Sequence, residues 1–305
     1  MPDPVEDKHL NECLAVMSYK ANSKDISELR ARTGAGIGDC KAALEESEGN
    51  MEKAGESLRK RGIAKAEKRA GRTATQGLVV IELAANGASG GMVELNCETD
   101  FVAKTDDFLG LAKDLGTHVA EHAPDGIGVA GSIDAQPFRD STVSVAVKTV
   151  SGKTGEAMTL ARFARFSEAH GVVVSYLHHN GQVGVLLDVE GPAGEALTTL
   201  AKDVALHIAS ADPMGISDAD IPAEVLGRER RIFEEQVAAE GKPEAIRGKI
   251  VDGKIRKFVA ERTLTGQPFV KDESQTVGEM IQAVAKQLGG TIVVKRFARF
   301  KVGEG

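Results

Sequence analysis

The sequence predicts an α+β fold, on three observations. Apolar residues recur at helical spacing before Gly62, the period turns strand-like beyond Thr75, and from Gly77 onward a hairpin-plus-helix pattern occurs twice. The expected architecture is an N-terminal three-helix module followed by two repeated α+β subdomains with antiparallel sheets, with an inserted antiparallel helical hairpin of coiled-coil type. At 305 residues the chain can bury a sizeable core spread over two domains or a few small modules.

The opening Met1-Pro-Asp-Pro-Val-Glu-Asp-Lys is too polar for a secretory leader. Residues 1–22 read as a disordered tail, or as sequence upstream of a true start at Met17. Residues 23–62 make the helical module. Asp25 with Glu28 reads as a capping box opening a helix from Ile26 to Arg32, and Thr33-Gly-Ala-Gly36 breaks that helix. A second helix carries Cys40, Ala43 and Leu44 and ends at Gly49-Asn50. A third carries Met51, Ala54 and Leu58 and is expected to stop at Gly62, where the missing Cβ lets the chain close a turn.

Residues 63–76 are expected to be a basic linker. Arg59, Lys60, Arg61, Lys65, Lys68, Arg69 and Arg72 stand against Glu67 alone. No aromatic interleaves these charges to stack on bases, so the stretch reads as a solvated helix or linker rather than a nucleic-acid patch.

The duplication defines two subdomains, 77–166 and 167–305. Gly77-Leu-Val-Val-Ile-Glu-Leu, Asn86-Gly87 and Gly91-Met-Val-Glu-Leu are echoed by Gly171-Val-Val-Val-Ser-Tyr-Leu, Asn180-Gly181 and Gly184-Val-Leu-Leu-Asp-Val. Each copy is a hairpin around an Asn-Gly turn signal. Matching helices follow, Leu111-Ala-Lys-Asp with His118-Val-Ala and Leu200-Ala-Lys-Asp with His207-Ile-Ala, at the same separation in both copies. Arg162-Phe-Ala-Arg-Phe166 and Arg296-Phe-Ala-Arg-Phe300 supply one further strand for the sheets.

The insertion lies at about 222–261. Pro222 to Ala239 carries Val225, Ile232, Phe233 and Val237 on one stripe; Gly241-Lys-Pro243 stops one helix and starts the next; Glu244 to Glu261 carries Ile246, Ile250, Ile255 and Phe258. Such a pair serves either as a protruding arm or as a simple core hairpin.

Composition excludes several function classes. With 38 Lys plus Arg against 45 Asp plus Glu, the net charge of -7 gives no global field to hold a polyanion, so direct nucleic-acid binding is not expected. Cys13, Cys40 and Cys97 are an odd, scattered set, which favours a reducing compartment, the cytoplasm, and argues against a disulfide framework or a zinc site. No apolar run approaches membrane-spanning length.

Three motifs tempt and fail. Gly34-Ala-Gly-Ile-Gly38 follows a helix rather than a strand, and Asp39 sits where a dinucleotide fingerprint needs its last glycine. Gly152-Lys-Thr154 resembles the end of a phosphate loop, but Val147 replaces the leading glycine, so it reads as a loop between strands. His118 and His122 have metal-like spacing, yet Val119 stands where a zinc hydrolase keeps its base, which leaves them on a helix surface. No nucleophile stands with a base, no acidic pair is set for acid/base work, and no cofactor site is expected. A metal enzyme built on His118 and His122 is one rival reading.

What remains is Glu94-Leu-Asn-Cys-Glu-Thr-Asp-Phe-Val-Ala-Lys104, an apolar strand running into an acidic turn with Asp100 and Phe101 at its tip. A large aromatic beside a carboxylate at a loop tip is suited to entering another protein. The residues alone leave a second possibility, that Phe101 folds into the core and Asp100 caps the helix of Phe108 and Leu111. With Thr33-Gly-Ala-Gly-Ile-Gly-Asp-Cys-Lys41 and Leu264-Thr-Gly-Gln-Pro-Phe-Val270, this segment resembles the bacterial translation elongation factor Ts family, across roughly Asp25 to Gly305.

That resemblance implies guanine-nucleotide exchange on elongation factor Tu, GDP-bound and nucleotide-free, with Thr99, Asp100, Phe101 and Val102 inserted beside the magnesium and phosphate site of Tu. It further implies that Arg30 and Ile37 of the first module grip the nucleotide-binding domain and that His178 touches the third domain. It makes the first module similar to a ubiquitin-associated domain and the helical hairpin a candidate for self-association into a homodimer. Gly38 departs from the family, where a large hydrophobic side chain is usual, as does Gln182, where a basic residue is common. Longer family members continue past Val302-Gly-Glu-Gly305 into a further helix on the partner, a contact expected to be absent here. A ubiquitin-associated-like adaptor without exchange activity is the second rival reading; it predicts that the first module alone retains function.

Overall fold

Three helices, α1 (Ser23–Thr33), α2 (Ile37–Glu46) and α3 (Met51–Arg69), pack around Leu29, Cys40, Ala43, Leu44, Ala54 and Leu58. The computed structural model describes residues 19–129, 131–241 and 243–304. The tail expected over 1–22 therefore falls mostly outside the described residues; Tyr19 and Ala21 pack against the helical core. The cap of α1 is Asn22, whose side chain accepts from Asp25 N at 2.9 Å, in place of the expected Asp25–Glu28 box. Tyr19 OH donates to the Asp25 carboxylate, which fixes that residue inside the first turn. Gly34 closes α1 in the left-handed region at φ 68°, as its place in the Thr33-Gly-Ala-Gly36 break requires.

The third helix does not stop at Gly62 but runs on to Arg69, so the basic stretch begins as helix. A glycine inside a helix costs about 1 kcal/mol against alanine. The bareness that lets the neighbouring helix approach is that of Gly152: a Cβ there would come within 2.7 Å of the Gly62 backbone, whereas one on Gly62 would make ordinary contact at 3.5 Å. The cations of this turn are partly engaged, Lys65 with Asp39 at 3.1 Å and Arg69 Nη2 with the Ser151 carbonyl at 3.0 Å.

The first repeat comprises β1 (Gln76–Leu83), β2 (Ser89–Cys97), α4 (Asp106–His122), β3 (Gly126–Val129), the short pair β4 (Pro137–Phe138) and β5 (Ser141–Thr142), α5 (Val143–Thr154) and β6 (Met158–Ser167). Its sheet is antiparallel in the order β1-β2-β6-β3. Gly152-Lys-Thr154, expected in a loop between strands, is the last turn of α5, because Val143, Val147 and Val150 keep helical spacing onto the core with Phe108, Leu111 and Leu115.

The second repeat comprises β7 (Gly171–Leu177), β8 (Val183–Glu190), α6 (Glu195–Ala211), the inserted helices α7 (Ala223–Ala239) and α8 (Glu244–Arg262), β9 (Pro268–Phe269), β10 (Asp272–Thr276), α9 (Val277–Leu288) and β11 (Val293–Lys301). Strands β11-β8-β7 form its antiparallel sheet. The Arg-Phe-Ala-Arg-Phe echoes are thus the third strands of both sheets. Ladder register makes Gly90 the counterpart of Gly184, since they face Leu83 and Leu177 respectively.

The two sheets pack face to face through equivalent residues: Val79, Met92, Ala164 and Phe166 from one, Val173, Leu186, Ala298 and Phe300 from the other. Helices cover the opposite faces, which explains why β2 is buried from Gly90 through Cys97 instead of alternating. Polar contacts repeat the symmetry. Val79 N donates to Gly181 O and Val173 N to Gly87 O, both at 2.8 Å, so each hairpin turn docks on the first strand of the other copy. Arg162 bonds Glu94 at 2.6 Å and lies 4.5 Å over the Phe300 ring; Arg296 bonds Asp188 at 2.8 Å and lies 4.5 Å over Phe166.

In the inserted hairpin only part of the expected stripe is buried. Val237 is buried with Val251, which the periodicity did not single out, while Ile232 and Ile246 remain exposed. Ion pairs such as Arg230–Asp252 at 2.8 Å cross between the helices, and the hairpin joins the repeat where Met214 N donates to Arg262 O and Leu264 N to Gly215 O.

Candidate partner-binding site

Strand β2 delivers the chain to the tip. Its last residue, Cys97, is buried and donates its S–H to Thr99 O at 3.1 Å; burial pushes the thiol pKa up to about 11, so it stays protonated and inert. Thr99 then turns the chain. Its carbonyl accepts from Ala103 N and its Oγ1 from Val102 N, both at 3.3 Å. A 3₁₀ turn over Val102–Lys104 follows, and Thr105 caps α4 by accepting from Phe108 N at 3.4 Å.

This geometry leaves Phe101 outward. Ala103 is buried and Val102 half-buried beneath the turn, while Phe101 is 79% exposed. Asp100 is not the cap of α4. It pairs with Lys104 at 2.7 Å, and that hydrogen bond, with the lysine charge behind it, holds its carboxyl below the usual range. Leu109, one turn into α4, is also exposed, which extends an apolar surface behind the tip.

The four residues Thr99, Asp100, Phe101 and Val102 therefore share one hydrogen-bonded turn, with Asp100 and Phe101 exposed at its tip. The turn of the second hairpin lies alongside: Asn180 and Gln182 share with Asp100, Lys104 and Leu109 a cavity of about 260 Å³. Gln182 reaches Gly77 O through Nε2 at 3.0 Å, a role within the chain itself. His178 starts that turn, half-buried, its Nδ1 3.1 Å from Tyr176 OH and its ring 4.2 Å from that of His179.

Arg30 and Ile37 belong instead to the helical module, exposed on either side of the Gly34 turn, with Ile37 61% accessible. At Gly38 an added Cβ would meet nothing within 4 Å, so no contact inside the chain requires a glycine there. A cleft of about 700 Å³ between this module and α5 is lined by residues including Arg32, Asp39, Arg59 and Lys153.

The two histidines part: His122 lies exposed on α4, as expected, whereas His118 does not. His118, expected on a helix surface, is buried, its Nε2 2.8 Å from Gln136 Oε1 and its ring edge-on to Phe138. The Gln-Pro-Phe sequence that faces it recurs in the second repeat, where His207 Nε2 lies 3.0 Å from Gln267 Oε1. Among the described residues no group of three or more His, Cys, Asp or Glu is placed to hold a metal ion.

Sequence reasoning missed two acidic residues that hold the tip. Glu98 Oε1 accepts from Ala157 N at 2.7 Å, and Glu156 accepts from both Thr99 N and Thr99 Oγ1. No local spacing joins positions so far apart in the chain; only the sheet brings them together.

Comparison with known proteins supplies the remaining finding. Residues 98–304 match the sequence model of a family described as Elongation factor TS. The elongation factor Ts of Trichlorobacter lovleyi is 44% identical over 288 residues, covering 92% of this chain and 92% of that protein. That of Aquifex aeolicus is 42% identical over 293 residues, covering 94% and 99%. That of Clostridium perfringens is 40% identical over 286 residues, covering 93% of each.

Proposed function

The chain belongs to the elongation factor Ts family, and from that premise we propose how it acts as the guanine-nucleotide exchange factor for elongation factor Tu in translation elongation. The observation that carries the mechanism is the exposure of Phe101 at the end of a hydrogen-bonded turn. Bound GDP is held by backbone donors to its phosphates and by a magnesium ion that demands near-octahedral ligation. The projection of Thr99, Asp100, Phe101 and Val102 enters beside that site and displaces its ligating shell. Burial of a Phe side chain is worth about 1.5–3 kcal/mol, enough to offset a small distortion of Tu.

Arg30 and Ile37 hold the nucleotide-binding domain and His178 the third domain, so that the tip acts on an already associated partner. The factor and GDP each weaken the other's hold on Tu, by the same factor in both directions. No bond is made or broken, and the chain is no catalyst of a chemical reaction. Its place is the cytoplasm, with translation; among the described residues no helix is long and apolar enough to cross a membrane. The adaptor reading is not favoured, because the relatives that match over 92% and 94% of this chain are elongation factors Ts.

Stopped-flow fluorescence of a labelled GDP bound to Tu tests this function. Adding the purified chain should speed release in a concentration-dependent, saturable way; release at the spontaneous rate would reject it.

A further inference from the structure

We infer that Glu156 is a positioning residue for the exchange tip, a role that rests on the proposed function. It stands in the short connection between α5 and β6, and both carboxylate oxygens are spent on one residue: Oε1 accepts from Thr99 Oγ1 at 2.6 Å and Oε2 from Thr99 N at 3.0 Å. The carboxylate of Glu98 makes the reverse connection, to the amide of Ala157 at 2.7 Å. Two chain connections are thus stapled to each other by a reciprocal pair of carboxylates on backbone amides.

Glu156 is itself anchored. Its carbonyl accepts from Ser151 Oγ at 2.5 Å, and the Ser151 side of α5 is tied to α3 through Arg69 Nη2. Thr99 is the pivot of the turn. Giving its hydroxyl proton to Glu156 turns an Oγ1 lone pair toward Val102 N, and its carbonyl takes the Cys97 thiol and Ala103 N. Phe101, almost bare of packing, takes its direction from this pivot. Loss of the staple leaves Ala103 buried and the Thr105 cap of α4 intact, so the fold survives while the tip loses its preorganisation.

A carboxylate accepts from both Thr99 groups through separate oxygens, whereas a glutamine amide has one acceptor oxygen and an NH2 that can only donate to Thr99 Oγ1. Glu156→Gln therefore keeps the shape but loses the charge-assisted bond and reverses the direction of the bond to Thr99 Oγ1, which turns the hydroxyl proton away from its place in the pivot. Because association is set elsewhere, its maximal rate of labelled-GDP release from Tu at saturating factor should fall about tenfold, as expected when a reacting group loses its fixed orientation. The half-saturating concentration and the melting temperature should stay close to those of the unaltered chain. Amides of residues 99–102 should exchange with deuterium faster in Glu156→Gln even without Tu. In a Phe101→Ala background, Glu156→Gln should add nothing, since the two act through one element.

An unchanged maximal rate, a rate loss matched by a loss of melting temperature, or additive effects in the double variant would each overturn the assignment. If the unaltered chain fails to release GDP, the exchange function falls and this role with it. That outcome is distinct from an active chain whose Glu156→Gln variant is equally active.

Discussion

Exposure sets Phe101 apart from the core aromatics. Phe108, seven positions later, is fully buried, and its truncation would cost about 3–5 kcal/mol of stability. Phe101→Ala removes no such packing. It should slow GDP release from Tu tenfold or more, each loss of about 1.4 kcal/mol in the complex being a factor of ten, while a thermal melt stays near that of the unaltered chain. Unchanged exchange, or a melt lowered as for a core Phe, would return this side chain to a structural role.

His207 makes a prediction of the opposite kind. Val270 N donates to its Nδ1 at 3.2 Å and Nε2 faces Gln267 Oε1, so the neutral ring is satisfied on both sides. Burial lowers its pKa below 6.5, although the Gln267 bond opposes the shift. A depressed folded-state pKa means that the stability it contributes is fully present above 6.5 and lost as the pH falls toward the folded value. Urea unfolding at pH 7 and pH 5.5 should show lower stability at the acid end, with a smaller fall in His207→Gln. An equal fall in both would remove His207 as a cause.

At the scale of elements, the strand and helix periods were legible because each hairpin carries its own Asn-Gly signal and each repeat helix its own apolar stripe. The extension of α3 past Gly62 was not. A glycine reads locally as a stop, yet the helix runs on through it to Arg69, with Gly152 of α5 packed against its backbone. Likewise Val251 could not be singled out from α8 alone, since its burial comes with the packing of the helical hairpin.

Gly38 in α2 offers a gain-of-function test of the module. A side chain there projects into open space next to Ile37, and replacing a helical glycine with leucine gains up to about 1 kcal/mol of helix propensity. Gly38→Leu should melt no lower and bind nucleotide-free Tu several-fold more tightly, an apolar contact of about 1 kcal/mol being roughly a factor of five. Calorimetric titration measures both the affinity and its heat. Weaker binding would mean that this turn does not face the partner.

For the whole molecule, the duplication was visible in sequence, but not the way its copies meet. Arg162-Phe-Ala-Arg-Phe166 and Arg296-Phe-Ala-Arg-Phe300 read as two spare strands; the crossed stacking of Arg162 on Phe300 and Arg296 on Phe166 appears only when the sheets face each other. The site followed the same rule. Thr99, Asp100, Phe101 and Val102 are contiguous and so stood out, whereas Glu156 acts on them across the sheet. In the proposed mechanism the double-sheet body is the base from which the tip drives a small displacement in Tu.

Reciprocal coupling is the most direct measure of that mechanism. The affinity of the chain for Tu is to be determined by titration without nucleotide and with saturating GDP, and the affinity of GDP for Tu with and without the chain. Both should weaken by one common factor, roughly 5- to 150-fold for a coupling of about 1–3 kcal/mol, and that factor should shrink in Phe101→Ala. Equal affinity of the chain for nucleotide-free and GDP-bound Tu would contradict exchange by coupling, however tightly the two proteins bind.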